Sequence, residues 1–140
     1  MSAQSIDQKR ADIEGLLRSH GISPTQQRLD IAEVLFAKPQ HLSADEVLTL
    51  VNNSGAGVAK ATVYNTLGLF AQKGIIREVI VDPAKVFYDP ATCPHHHFYN
   101  IDTGTLVDID AGSVQIGKLP QLPLNTVVEG VDVVIRVKNG

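Results

Sequence analysis

The stretch Ser43–Gly74, SADEVLTLVNNSGAGVAKATVYNTLGLFAQKG, decides the reading of this chain. It opens on Ser43-Ala44-Asp45-Glu46, the pattern of a capping box. In such a box the serine oxygen accepts from the amide three residues on, and the glutamate carboxylate accepts from the serine amide. The helix predicted behind it turns Val47, Leu48, Leu50 and Val51 inward. Asn52-Asn53-Ser54-Gly55 closes that helix. A second helix is predicted from about Lys60 to Lys73, with Val63, Leu67 and Phe70 on one stripe and Gly74 at its end. Two short helices joined by a glycine-containing turn form a helix-turn-helix.

The flanks extend the pattern. Upstream, Ile13, Leu16 and Leu17, then Ile31, Val34 and Leu35, recur at helical spacing. Gly21 ends the first of these helices, Pro24 suits the first turn of the second, and Pro39–Leu42 ends it. Downstream, Ile75–Val81 and Lys85–Tyr88 read as two strands joined by a turn at Asp82-Pro83-Ala84. Four helices followed by a hairpin is the order of a winged helix-turn-helix, whose fourth helix enters the major groove. The outer side of that helix carries Lys60, Thr62, Tyr64 and Asn65, which can reach phosphates or base edges. Beyond Pro90 the chain turns strand-like, at His97–Ile101, Thr105–Ile109 and Val131–Val137. The Gly112–Glu129 stretch between the last two, with Pro120 and Pro123, shows no sustained helical period. The fold class expected is α+β: a winged helix at 1–88, a hinge at 89–94, and a small β-rich domain at 95–140.

Composition sets the frame. The chain has 140 residues, 44% hydrophobic and 19% charged, a globular balance. Its net charge of −3 argues against a uniformly basic nucleic-acid coat. The charge is divided unevenly, however. Residues 1–85 hold nine basic and nine acidic side chains, so the acidic excess lies in the C-terminal part, away from the groove helix. No apolar run is long enough to cross a bilayer and the N-terminus lacks a signal core, so a cytoplasmic location is expected.

Cys93-Pro94-His95-His96-His97 is the second informative segment. Imidazole is a common ligand for borderline metals. On an extended chain His95 and His97 share one side and His96 takes the other. His41, in the turn before the third helix, is the natural distant third ligand. Asp108 and Asp110 can add oxygens, leaving His96 for a second site. A cysteine before proline can ligate heme iron, so Cys93 with His95, His96 and His97 is a heme alternative. With one cysteine there is no intrachain disulfide and no paired-cysteine zinc.

Three elements together carry a family resemblance: Ala61-Thr62-Val63-Tyr64-Asn65-Thr66-Leu67, the preceding His41–Glu46, and the histidine cluster followed by Ile101-Asp102-Thr103-Gly104. The chain resembles the ferric uptake regulator superfamily from about Gly21 to Lys138. Its closing stretch, Leu119–Pro123 and Val131–Val137, is most similar to the iron response regulator branch. The resemblance implies a dimeric, metal-sensing winged-helix repressor. It maps the sensory ligands onto His41, His95 and His97, with Tyr88 where the family has a glutamate. The second family site maps onto Pro94, His96 and Asp108. The structural cysteine-zinc is missing, and so is the long helix of the dimerisation domain. Val131–Val137 then carries most of the dimer contact.

The expected function is regulation of iron or heme homeostasis. A homodimer would bind an approximately palindromic operator under control of heme or of Fe, Mn or Zn. A peroxide-sensing repressor of the same superfamily is the nearest alternative. A heme or metal carrier that does not bind DNA, and a small metal-dependent enzyme, are more remote; no HExxH-like spacing supports the latter.

Overall fold

The computed structural model describes residues 3–82, 84–90 and 95–140, with the backbone alone at 3–7 and 111. The chain divides into two compact units, 1–92 and 93–140.

Among the described residues the first unit carries four helices and a three-stranded sheet: α1 (Ala3–Ser19), α2 (Gln26–Leu35), β1 (Leu42–Ser43), α3 (Ala44–Asn52), α4 (Lys60–Gln72), β2 (Arg77–Asp82) and β3 (Lys85–Asp89). Both glycine stops act as expected. Gly21 and Gly74 take positive φ of 75° and 80°. In each case the following residue, Ile22 or Ile75, donates its amide back to Leu17 or Phe70. That closes the helix on a residue with no Cβ to strain.

The capping box is present: Glu46 N–H donates to Ser43 Oγ at 3.2 Å and Ser43 N–H to Glu46 Oε1 at 3.1 Å. Val47 and Val51 are buried against Val63, Leu67 and Phe70 of α4 and against Leu17, Ile31 and Leu35. Burial of these side chains is the main force holding α3 beneath α4. Leu50, expected inward, is instead 42% exposed. The inward stripe of α3 runs through positions 47 and 51, one turn apart, and 50 falls beside it. Pro24 also differs from expectation. Thr25 caps α2, accepting from Arg28 N–H, and Pro24 stands ahead of the cap.

The turn between α3 and α4 is fixed by one side chain. Asn52 Nδ2 donates to Val58 O at 2.9 Å, and Val58 N–H donates to Asn52 Oδ1 at 2.7 Å. The wing differs from a plain hairpin. Its order is β1-β3-β2, with β1 antiparallel to β3 through Leu42–Tyr88 and Ser43–Phe87. The Pro83 turn residue lies outside the described residues.

The second unit is a sheet of order β5-β4-β6. Strand β4 (His96–Asn100) runs antiparallel to β5 (Leu106–Ile109) and parallel to β6 (Val134–Val137). A single 3-10 turn, Ala111–Ser113, follows β5. Residues 114–133 contain no helix or strand, as the lack of periodicity predicts. Strand β6 starts at Val134 rather than Val131. At Val133 the carbonyl still accepts from His97 N–H, while the amide is taken by the His96 side chain, so the ladder ends there.

Candidate metal centre and nucleic-acid interface

Two groups of imidazole and carboxylate are built by the two sheets, one in each unit. In the first unit, the β1–β3 register pairs 42 with 88 and 43 with 87. One step further out brings His41 opposite Asp89. Their Nδ1 and Oδ2 atoms are 3.2 Å apart, with side chains 11% and 3% exposed. A carboxylate this buried is costly unless a cation or strong donors face it. Asp89 was not singled out from the sequence. The available signal was its position one residue beyond Tyr88, where a strand's next side chain changes face.

In the second unit, His97 lies directly across the ladder from Asp108. Asp108 Oδ1 is 3.0 Å from His95 Nε2 and 3.2 Å from His97 Nε2. The two rings stand 4.5 Å apart at 54°. The sharing of one side by His95 and His97 is thus as the extended-chain argument expected. His96 points elsewhere, its Nδ1 accepting Val133 N–H at 3.0 Å. That bond docks β6 onto β4. Asp108 keeps company with His95 and His97 rather than with His96. Asp110 lies beyond β5, exposed. Cys93 and Pro94 lie outside the described residues.

The donor sets suit a divalent ion. Within the second unit, His95, His97 and Asp108 each offer one ligand atom, mutually within 4.8 Å. Within the first, His41 and Asp89 do the same. All donors are imidazole nitrogen or carboxylate oxygen, which suits Fe, Mn or Zn rather than a soft ion.

The outer side of α4 carries the expected donors. Lys60, Tyr64 and Asn65 are exposed and Thr62 is half-buried. Two of them are tied to α3. Tyr64 Oη donates to Asp45 Oδ1 at 2.9 Å, and Lys60 Nζ is 4.0 Å from the same oxygen. Lys60 Nζ also lies 5.5 Å from the Tyr64 ring centre. The hydrogen bond to Asp45, followed by burial, raises the Tyr64 pKa above its ordinary 10.0. Nearby on β3, burial pushes the Tyr88 phenol up, reinforced by Glu78.

Known proteins share this architecture. The chain matches the ferric uptake regulator family over residues 19–122. It is 31% identical over 110 residues to the peroxide-responsive repressor PerR of Staphylococcus saprophyticus, covering 77% of this chain and 74% of that protein. The ferric uptake regulator of Vibrio cholerae superposes with a TM-score of 0.71 at 24% identity, over 90% of this chain and 98% of that one. The Pseudomonas aeruginosa regulator, solved with manganese, gives 0.67 at 20% identity, over 90% and 96%. At such identity the two structures share the fold.

Proposed function

This chain belongs to the ferric uptake regulator family, and from that premise we propose that it is a homodimeric repressor whose operator affinity is set by a divalent metal held by His41, Asp89, His95, His97 and Asp108. It is a metal-responsive transcription regulator and not an enzyme. The observation that carries the finer proposal is the pairing of imidazole with carboxylate twice over, once in each unit. A bound ion would supply positive charge and fixed ligand directions. The chain's own part is to present two imidazoles, one just before β4 and one on it, with a carboxylate of β5, and a third imidazole and second carboxylate from the β1–β3 edge.

Metal shifts DNA affinity only as far as it prefers one arrangement of the chain over another. In the proposed complex α4 lies in the major groove, with Lys60 on phosphate and Thr62, Tyr64 and Asn65 toward base edges. A two-fold dimer matches an approximately palindromic operator. The second copy is proposed to cover the outer side of the β5-β4-β6 sheet. There Phe98, Val107 and Ile135 form one exposed apolar rung. The reading places the protein in the cytoplasm with its DNA; no described helix is long and apolar enough to cross a membrane.

Within this reading we favour a bare ion over heme. His95 Nε2 and His97 Nε2 both converge on Asp108 Oδ1, at 3.0 and 3.2 Å, and imidazole nitrogens meeting a carboxylate oxygen are the donor set of a bare divalent ion. The role in iron and heme homeostasis implied by the iron response regulator branch remains part of the proposal. The deciding experiment is fluorescence anisotropy on operator and random duplexes, with and without Mn2+. A salt-sensitive operator preference that changes with Mn2+, and ceases to change in a His95→Ala/His97→Ala protein, is expected. The absence of any operator preference overturns the reading.

The similarity to PerR favours a second reading, response to peroxide. Its mark would be an added oxygen atom on the His41, His95 or His97 peptide after peroxide treatment of the Fe2+-loaded protein. The Mn2+-loaded protein should lack it.

A further inference from the structure

Tyr64 is read above as a base-facing residue, yet its hydroxyl is already engaged. A phenol has one proton to donate and lone pairs to accept with. Here the proton is directed at Asp45 Oδ1, 2.9 Å away. The same carboxylate oxygen is 4.0 Å from Lys60 Nζ, which also lies over the Tyr64 ring. Asp45 sits in the first turn of α3, anchored by the Ser43–Glu46 box on either side of it. The acceptor is therefore held by a capped helix rather than by a loop. The raised Tyr64 pKa agrees, since the hydrogen bond to Asp45 is its main cause.

We propose that Asp45 is a specificity-determining residue of the DNA interface: by taking the only proton of the Tyr64 hydroxyl, it leaves that oxygen an acceptor, which selects an exocyclic amino group in the major groove. This rests on the reading of α4 as the groove helix. The major groove offers such donors only at adenine N6 and cytosine N4. Guanine O6 and N7, thymine O4 and the phosphate oxygens are acceptors, and none can satisfy a hydroxyl whose proton is committed. A tyrosine without Asp45 would donate to any of these and discriminate little. Lys60 has a matching part. It offsets the negative charge that Asp45 would otherwise set against the phosphates.

The assignment separates Asp45 from a residue that merely braces α4. A brace would change affinity for all sequences together. A proton acceptor changes one position of the operator.

The test is selection from a randomised duplex library at fixed salt and saturating Mn2+, using wild type, Tyr64→Phe, Asp45→Ala and Asp45→Asn. Thermal melting establishes that each is folded. Wild type is expected to prefer adenine or cytosine at one position by about 2- to 10-fold, the range of one net hydrogen bond. Tyr64→Phe and Asp45→Ala should both lose that preference while keeping the rest of the operator. Asp45→Asn retains an acceptor oxygen and should keep it. If the preferred base is adenine, replacing it with 2-aminopurine, which lacks the major-groove amino group, should cost the wild type the same factor and Tyr64→Phe nothing. A uniform change across all sequences in Asp45→Ala, or an unchanged preference, overturns the role of Asp45 and leaves the groove reading standing. A wild type with no sequence preference overturns both.

Discussion

His41 and Asp89 face each other at the open end of the β1–β3 ladder, Nδ1 to Oδ2 3.2 Å. Two residue pairs, Leu42 with Tyr88 and Ser43 with Phe87, are enough to set that relationship. The shortest strand among the described residues thus joins the approach to α3 to the end of the wing. Asp89, rather than Tyr88, becomes the carboxylate partner of His41.

Replacement of Asp89 should show this directly. Asp89→Ala is expected to weaken Mn2+ binding by at least tenfold, since loss of even a group supporting a ligand costs about 10–100-fold. Tyr88→Phe should leave Mn2+ affinity unchanged. Equilibrium dialysis with elemental analysis measures both. Wild-type affinity in Asp89→Ala would remove that residue from the site.

Lys60 and Asn65 should fail in different ways. Lys60→Ala is expected to weaken binding to operator and random duplex alike and to reduce the salt slope by about 1. Asn65→Ala should narrow the difference between operator and random DNA with little change in slope. Titrations at several KCl concentrations separate the two effects.

Asn52 fastens the α3–α4 turn with two hydrogen bonds to Val58, whose side chain is buried. Asn52→Ala leaves the Val58 amide and carbonyl without that partner, at a cost of about 1–3 kcal/mol. Urea unfolding should show the loss as a lower midpoint. Operator affinity should fall as well, because the turn sets how α3 carries α4.

Alkali should loosen the wing. Burial raises the Tyr88 pKa in the folded chain, so the unfolded chain ionises first, near its ordinary 10.0. Below that pH the stabilisation is fully present. As pH rises from there through the folded pKa, the unfolded state binds fewer protons and stability falls. Tyr88→Phe should flatten the decline between pH 9 and 11, followed by circular dichroism, and leave stability at pH 7 little changed.

The parts visible in the sequence are those that rest on neighbours along the chain. Ser43 and Glu46 form their cap within one turn, and Val63, Leu67 and Phe70 mark the α4 stripe at helical spacing. Alternation alone put His95 and His97 on one side. The hidden parts depend on register between distant segments. Strand β1 is two residues long, too short to show a period of two. Asp89 acquires its partner only once β1 is laid against β3. Leu50 looked like a core residue by type, yet one helical step carries it past the buried stripe. Asp45 drew notice as part of a cap, while its bond to Tyr64 appears only when α3 and α4 are packed.

The parallel pairing of β6 with β4 has a kinetic side. Its strands meet only after the long 110–133 segment has looped back, and closing a loop of that kind costs chain entropy before any contact offsets it. The helices of the first unit form largely from near neighbours and so assemble quickly. The amides of His97 and Ile101 donate to the carbonyls of Val133, just before β6, and Val137, at its end. The β4–β5 hairpin closes through a short turn, so the β4–β6 pairing is expected to lock after it. In hydrogen exchange the His97 and Ile101 amides should open with β6, while that of Asn100, bonded to Thr105 O, and those of α3 and α4 stay closed.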